Sequence, residues 1–135
     1  MAFKGSLEDR LAIRERMDAY ADGVYRKDPD AWGACWAEDA VWDLGRATKE
    51  GRAAIVEFWT GIMKGYDRVQ HQVAPGSIIV NGDTAEATTH VEELLLAADG
   101  SVRKACGMYN DTLVKVGGEW LFKVRRYNPI MELPT

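Results

Sequence analysis

Hydrophobic periodicity changes near Asp67, and this change constrains the fold more than any other feature of the 135-residue chain. Before Asp67, apolar residues recur at helical spacing. After it come five β-rich segments with turn signals between them, at about 67–74, 76–81, 83–97, 101–116 and 119–128. Helices followed by a strand meander are typical of an α+β domain, because one face of the meander must be covered by apolar residues. We expect one domain over residues 1–135, with long strands curling around the helices.

The first half predicts three helices and one short strand. Ser6 and Asp9 form a capping-box pattern, which opens a first helix of about five turns that ends at "RKDPD". Asp28 followed by Pro29 suits an N-cap and a first-turn proline, and opens a second helix that should end near Glu38. The stretch "DAVWDLG" reads as a brief strand, and "GRAAIVEFWTGIMKG" has the apolar stripe of a third helix.

Composition excludes several classes of partner. A net charge of -4, with scattered basic residues, gives no electrostatic footprint for nucleic acid. No apolar run approaches a membrane span, and "MAFKGSLEDR" lacks the apolar stretch of a secretory signal. Cys35 and Cys106 have no paired spacing, which predicts reduced, buried thiols and a cytoplasmic protein.

The usual motifs for metal, phosphate and nucleophilic chemistry are absent from the sequence. It contains no glycine-rich phosphate loop, HExxH, GxSxG or Cys–His pairing, and its two histidines are too few for a His-rich metal site. We therefore expect no cofactor and no metal. Proton transfer on a small hydrophobic organic substrate remains as the chemistry that this composition allows.

His71 is the first candidate for such chemistry. In "VQHQV", Val69, His71 and Val73 fall on one face of an extended segment, so the imidazole faces an apolar environment. An imidazole takes up a proton near neutral pH without help from a cofactor. The alternative is a core histidine that hydrogen-bonds only to backbone groups.

The stretch "THVEELLLAADG" offers a carboxylate on either face. Thr89, Val91 and Glu93 are in phase on one face, while His90 and Glu92 lie on the other, and periodicity does not choose between the two. Both faces become apolar towards the end of the strand, which predicts cover on both sides. We therefore expect a homodimer or higher homo-oligomer that forms through the outer sheet surface.

The last two long strands hold three more candidates. Tyr109 and Asp111 are in phase and would give a pocket a donor and an acceptor, although Asp111 reads equally well as a solvated strand residue. Strand phase places Arg125 opposite Phe122 and Arg126, unless a bulge intervenes, and surface exposure is the default for both arginines.

The order of these parts resembles a SnoaL-like domain of the NTF2-like superfamily. The resemblance is carried by "LEDRLAIRERMDAYADGVYRKDPDAWGACWAEDAVWD", the helix after Gly51, "VQHQV", "IIVNGDTAEA" and "GMYNDTLVKVGGEWLFKVRR". It implies a cone-shaped α+β barrel whose N-terminal helices pack in a strongly curved, mixed or antiparallel sheet. Members of the superfamily include scytalone dehydratase, bile-acid 7α-dehydratase, hexachlorocyclohexane dehydrochlorinase, ketosteroid isomerase and non-catalytic binding proteins, so the fold leaves the function open.

The resemblance also implies roles for single residues. His71 matches the general-base histidine of the dehydratases, and Tyr20 matches a tyrosine that donates to an oxyanion. Glu93 matches a functional aspartate, which favours the Thr89–Val91–Glu93 face as the inner one. The remaining matches are pocket positions: Trp42, Tyr109, Asp111 and Arg125.

The sequence departs from the family at position 25, where several of these lyases carry an aspartate beside the histidine and this chain has Tyr25. A phenol stays neutral near pH 7 and does not stabilise an imidazolium as a carboxylate does. Asp22 or Glu93 would then supply the charge, and Tyr25 would serve as a hydrogen-bond donor or general acid.

Together these features predict a cofactor-independent lyase of the dehydratase type that acts on a hydrophobic, ring-containing substrate. His71 would remove a C–H proton, while Tyr20 and Tyr25 hydrogen-bond the oxygen that gathers charge. Two alternatives are an isomerase and a non-catalytic binding or assembly module. The side chains expected to shape the pocket are Trp36, Trp42, Trp59 and Tyr109.

Overall fold

The computed structural model describes residues 2–134, with side chains for residues 2–131. Its helices are α1 (Leu7–Arg26), α2 (Pro29–Gly33) and α3 (Arg52–Met63). Its strands are β1 (Phe3–Lys4), β2 (Trp36–Asp43), β3 (Thr48–Glu50), β4 (Tyr66–Asn81), β5 (Thr84–Ala97), β6 (Val102–Val116) and β7 (Glu119–Pro134). The strands form one curved sheet in the order β1-β4-β5-β6-β7-β2-β3. Because β1 pairs with β4 and β2 with β7 in parallel, whereas the other pairs are antiparallel, the sheet is mixed. Helices in the first half and long strands in the second half confirm the predicted α+β class.

The first helix begins and ends where the sequence indicates. The Ser6 hydroxyl accepts a hydrogen bond from the Asp9 amide at 3.0 Å, as expected of an N-cap. Lys27 ends α1 in the left-handed conformation, with φ at 53°. The helix packs across β4 and β7 through a stripe that includes Ile13, Met17 and Tyr20, and this stripe fixes which side chains reach the interior.

The predicted end of the second helix was wrong. α2 ends at Gly33, well before Glu38, and Trp36 begins β2. The helix ends early because the next residues pair with β7. The Phe122 amide donates to the Cys35 carbonyl at 2.9 Å, and β2 then runs parallel to β7. Pairing with a distant strand here outweighs local helical periodicity.

Pro75 and Gly76 do not separate two strands. They lie within β4, where the register with β5 shifts between Pro75 and Ser77 as at a β-bulge. A Cβ on Gly76 would lie 2.7 Å from Thr88 Oγ1, so the missing side chain lets β5 continue past the bulge. The strands β1 and β3 were not predicted, and β7 runs on beyond residue 128 to Pro134.

The outer face of the sheet carries exposed apolar side chains, among them Leu94 (42%) and Ile79 (39%). The homo-oligomer expected through this face stays a prediction. Cys35 is buried but Cys106 is only half-buried, and both are free thiols, so Cys106 is less buried than predicted. In the described part of the chain, no helix is long and apolar enough to cross a membrane.

Candidate active site

His71 and Glu93 face each other across β4 and β5 on the inner side of the sheet. His71 Nδ1 lies 2.8 Å from Glu93 Oε2. The imidazole is 4% exposed and the glutamate side chain is 24% exposed, so the pair lies at the solvent end of the interior. Three residues were expected as partners of the His71 imidazole, namely Tyr25, Asp22 and Glu93. Of these, Glu93 is the one that contacts it.

The position of Glu93 determines which nitrogen of His71 is available. An ionised carboxylate only accepts hydrogen bonds, so Nδ1 must carry the proton that it donates to Oε2. In the neutral ring, Nε2 then bears the lone pair. This atom is buried and has no hydrogen-bond partner among the described side chains or backbone groups. The arrangement therefore leaves a buried nitrogen with a free lone pair and no partner among the described groups.

Tyr20 packs against the imidazole in a tilted arrangement. Its ring centroid is 5.5 Å from that of His71, and the side chain is buried. Burial raises the pKa of Tyr20 well above its usual value, with Tyr109 adding to the effect. The hydroxyl thus keeps its proton near neutral pH and is able to donate to an oxygen atom.

Tyr109 lies deeper in the interior, on β6, and is hydrogen-bonded by Trp42 of β2. The Trp42 indole Nε1 donates to the Tyr109 hydroxyl oxygen at 3.1 Å, so the hydroxyl proton is left for another acceptor. Burial raises the pKa of Tyr109 to about 12. The Tyr20 and Tyr109 hydroxyls also interact with each other through a hydrogen bond, so the two phenols form a neutral, linked pair beside the base.

Arg125 and Asp111 form a buried ion pair, directly opposite each other on β7 and β6. The Arg125 guanidinium donates from Nε to Oδ1 at 2.7 Å and from Nη2 to Oδ2 at 3.1 Å. The Thr89 hydroxyl donates to Oδ2 at 2.6 Å. Burial alone would lower the pKa of Arg125, but the charge and hydrogen bonds of Asp111 together with the nearby Tyr20 and Tyr109 outweigh burial, so the pKa is raised.

The surface position expected for Arg125 was therefore wrong. A β-bulge in β7 reverses the strand phase, so the side chain faces inward. Leu113 pairs with Phe122 but Thr112 pairs with Val124, so β7 holds one extra residue, Lys123. The extra residue shifts the phase of the strand and turns Arg125 inward, where its guanidinium lies 4.0 Å from the Phe122 ring centre. Arg126 is exposed, as expected.

Tyr25 and Asp22 are not part of the site. Tyr25 is 64% exposed, and Asp22 accepts a hydrogen bond from Arg26 on the helix surface at 2.9 Å. Consecutive residues of an α-helix lie about 100° apart, so Val24 in the buried stripe turns Tyr25 away from the interior. The roles expected for Tyr25 and Asp22 near His71 are thus contradicted by their positions.

Aromatic side chains fill the deep end of the interior. Trp32 and Trp59 stack with ring centroids 4.4 Å apart, and Trp32 also contacts Tyr20 at 5.3 Å. The tryptophans expected to shape a pocket all lie there, each 5% exposed or less: Trp36, Trp42 and Trp59. Trp32 and Thr89 were not among the predicted site residues, although Thr89 shares the inner phase of Glu93, a signal that was available.

No three His, Cys, Asp or Glu side chains within residues 2–131 are grouped closely enough to hold a metal ion. The polar groups gathered around Tyr20 are instead a base, an arginine and phenols. This set is able to accept one proton and to donate several hydrogen bonds to oxygen.

Solved structures with the same fold include proteins with several names. A protein described as a candidate scytalone dehydratase from Novosphingobium aromaticivorans is 24% identical, with a TM-score of 0.89 over 96% of this chain and 89% of that one. A protein described as a candidate aromatic ring hydroxylase from the same species is 28% identical, with a TM-score of 0.88 over 98% and 96%. The hexachlorocyclohexane dehydrochlorinase LinA-type3 from Novosphingobium barchaimii is 18% identical, with a TM-score of 0.80 over 96% and 91%.

Sequence comparison gives the family. No curated protein matches the chain in sequence. The sequence model of the SnoaL-like domain matches residues 5–126, which is nearly the whole chain and includes every side chain described above around His71. The chain therefore belongs to the SnoaL-like domain family, within the NTF2-like superfamily.

Proposed function

We propose that the protein is a cofactor-independent lyase that eliminates a small group from a hydrophobic, ring-containing molecule, with His71 as the general base. One observation carries this proposal: Glu93 binds His71 Nδ1 at 2.8 Å, while Nε2 is buried without a partner among the described residues. A histidine kept only for packing would satisfy its nitrogens with backbone groups. A base needs the opposite arrangement, with one nitrogen held and one open.

In the proposed reaction, His71 Nε2 takes a proton from a carbon of the substrate. The electrons of that C–H bond form a carbon–carbon double bond, and the leaving group departs with its bonding pair. Where the leaving group is hydroxide, the proton on Nε2 returns to it and water is released. Glu93 favours proton uptake, because its charge stabilises the imidazolium that forms.

Tyr20 supplies the hydrogen bond to the oxygen that gathers charge. Its raised pKa supports this role, since the hydroxyl stays protonated near neutral pH. Tyr25 is too exposed to contribute, so the second donor in this proposal is Tyr109. Arg125 stands behind both phenols, with its guanidinium 4.5 Å from the Tyr20 ring centre and 3.9 Å from that of Tyr109.

The names of the structural neighbours indicate the first compounds to test. Purified protein would be incubated with scytalone and with hexachlorocyclohexane, and the products would be identified by mass spectrometry. A lyase lowers the mass of the organic product by the mass of water or hydrogen chloride. An isomerase conserves the mass, so an unchanged mass with a moved double bond would favour that alternative.

The decisive variant is His71→Gln, with His90→Gln as its matched control. His90 lies on the neighbouring strand but is exposed on the outer face. Loss of a positioned base should lower turnover by about 10²–10⁴-fold in His71→Gln, while His90→Gln keeps the rate of the unmodified protein. Equal rates in the two variants would refute the assignment of His71.

A further inference from the structure

The Arg125 guanidinium lies against three aromatic rings in the interior. Its central carbon, Cζ, is 3.9 Å from the ring centre of Tyr109, and it is 4.0 Å from that of Phe122 and 4.5 Å from that of Tyr20. A cation over the face of an aromatic ring is attracted by the electrons of that ring. Two of the three rings are the phenols that donate hydrogen bonds in the proposed function, so the guanidinium is in direct contact with both of them.

Hydrogen bonds fix the guanidinium in this place along one edge. Asp111 accepts from Nε at 2.7 Å and from Nη2 at 3.1 Å. The carboxylate is itself held by Thr89, whose hydroxyl donates to Oδ2 at 2.6 Å. The third guanidinium nitrogen, Nη1, is buried without a partner among the described residues. The acid thus anchors one edge of the cation, and the aromatic rings pack around its central carbon.

A positive charge beside a phenol favours loss of the hydroxyl proton, and it therefore makes the hydroxyl a stronger hydrogen-bond donor. Burial has the opposite effect and dominates for Tyr20 and Tyr109, so the pKa of each is raised. The charge of Arg125 lowers the pKa of both phenols and so opposes burial. Because the two hydroxyls also hydrogen-bond to each other, polarisation of one reaches the other.

Other ionisable groups face the two phenols from the remaining strands around them: His71 on β4, Glu93 on β5 and Asp111 on β6. The charge of Glu93 raises the pKa of both phenols and thus acts against the arginine. Asp111 carries the same sign as Glu93, but it is the group that anchors the guanidinium. Arg125 supplies the positive charge that lies against the two rings.

We propose that Arg125 is a positioning residue whose charge, applied to the rings of Tyr20 and Tyr109, makes both hydroxyls stronger hydrogen-bond donors. The inference rests on the proposed function only in taking a substrate oxygen as the acceptor. A stronger donor stabilises an oxygen that gathers charge more than it stabilises a neutral one. The arginine therefore acts on the transition state more than on the bound substrate.

The acidity of one phenol measures this effect without a substrate. Tyr109 would be replaced by 3,5-difluorotyrosine, whose phenol ionises near neutral pH, and its titration would be followed by fluorine NMR. The test variant combines Arg125→Met with Asp111→Leu, which removes both charges and leaves neither buried alone. We expect the pKa of the labelled phenol to rise, with its ionisation constant at least about threefold lower than in the labelled protein that keeps both charges.

A second variant separates the charge from a merely structural role. Asp111→Asn keeps the cation and removes the acid that opposes it, so the pKa of the labelled phenol should fall. If the pair served only to hold the strands, both variants would loosen the interior and admit water, and the pKa would fall in both. Arg126→Met removes the neighbouring arginine, whose side chain is 62% exposed, and is the matched control that should leave the titration unchanged.

A folded double variant in which the pKa of the labelled phenol is unchanged or lower would overturn the proposal. If this double variant fails to fold, Arg125→Gln combined with Asp111→Asn keeps hydrogen-bonding groups without charge and should give the same rise. If the difluorinated ring prevents folding, 3-fluorotyrosine at position 109 replaces it. If Asp111→Asn fails to fold, the direction of the shift in the double variant decides alone.

Turnover separates this inference from the proposed function. On a confirmed substrate, the double variant should lower kcat by about tenfold with a smaller change in KM, while Arg126→Met keeps both values. A raised pKa with an unchanged kcat would refute the role of Arg125 in the reaction. A raised pKa in a protein without lyase activity would retain the effect of the arginine on the phenols and reject the proposed reaction.

Discussion

The interior holds two pairs that each join a basic and an acidic side chain. In both pairs the two residues lie directly opposite each other on neighbouring strands. The pair formed by Arg125 and Asp111 is completely buried, with side chains 1% and 0% exposed, and Thr89 adds a third hydrogen bond. The pair formed by His71 and Glu93 has one hydrogen bond, and its carboxylate is 24% exposed. Similar placement on the sheet thus gives one wholly buried pair with three hydrogen bonds and one pair with a single hydrogen bond and a partly exposed carboxylate. Each pair keeps one buried nitrogen without a partner among the described residues, Arg125 Nη1 and His71 Nε2.

This contrast separates stability from reactivity. A buried ion pair that is well hydrogen-bonded resists removal of either partner, since the charge that remains is left in a medium of low dielectric constant. A pair at the solvent end tolerates such a loss because water replaces the missing partner. We infer that Arg125 and Asp111 hold β6 and β7 in the register that positions Tyr109, whereas the proposed reaction depends on His71 and Glu93.

The largest expected effect tests this division directly. Asp111→Ala leaves the Arg125 guanidinium buried without its carboxylate and should lower the free energy of unfolding by about 3–5 kcal/mol. Glu93→Ala should lower it by no more than about 1 kcal/mol. Urea unfolding followed by tryptophan fluorescence would measure both changes.

A double variant provides the control. Arg125→Met combined with Asp111→Leu removes both charges and should recover most of the stability that Asp111→Ala loses, because no isolated charge remains. Similar losses for Asp111→Ala and Glu93→Ala would show that the two pairs do not differ as their burial indicates.

The next effect concerns turnover and belongs to the exposed pair. Glu93→Gln removes the charge that stabilises the imidazolium, and its amide is able to donate to Nδ1 and so favour the wrong tautomer. Turnover should fall on the order of tenfold or more, with little change in substrate affinity. Steady-state kinetics on a confirmed substrate measure both quantities. A larger change in KM than in kcat would instead assign Glu93 to substrate binding.

The two pairs also differ in how far the sequence predicts them. Strand periodicity put His71 on the apolar face with Val69 and Val73 but left both faces of β5 open, and the family resemblance favoured the face of Val91 and Glu93 as the inner one. The choice of Glu93 over Asp22 and Tyr25 needed tertiary structure, since three charged or polar groups were open to His71. Local pattern gives the face of a strand but not the partner across it.

For Arg125, the sequence pattern pointed the wrong way. A single extra residue, Lys123, reverses the phase of β7 after Phe122, and no residue type there marks a bulge. The Pro75-Gly76 pair shows the converse, because a turn signal proved to be a bulge within β4. Both errors arise because bulges are fixed by the pairing of long strands, which no short window of sequence contains.

The smallest effect is a dependence of stability on alkaline pH, and it reports on the buried end alone. The folded-state pKa of Tyr109 is raised to about 12 by burial, whereas an unfolded tyrosine ionises near pH ~10. Below pH ~10 the hydroxyl is protonated in both states, and its ionisation does not affect stability. Above it, the unfolded chain loses a proton that the folded chain keeps, so stability falls as pH rises towards the folded pKa, by up to about 1.4 kcal/mol per pH unit.

Tyr109→Phe tests this source of alkaline sensitivity. The variant should be less stable by about 1 kcal/mol near pH ~8, where it lacks the hydrogen bond from Trp42. Between pH ~10 and the folded pKa, the variant should lose less stability than the unmodified protein. Only one of the two tyrosines with a raised pKa, Tyr20, then remains. Urea unfolding at a series of pH values measures the two slopes. Parallel slopes would mean that the Tyr109 hydroxyl is already solvated in the folded state, and the buried end of the interior would then be as open to water as the end that holds Glu93.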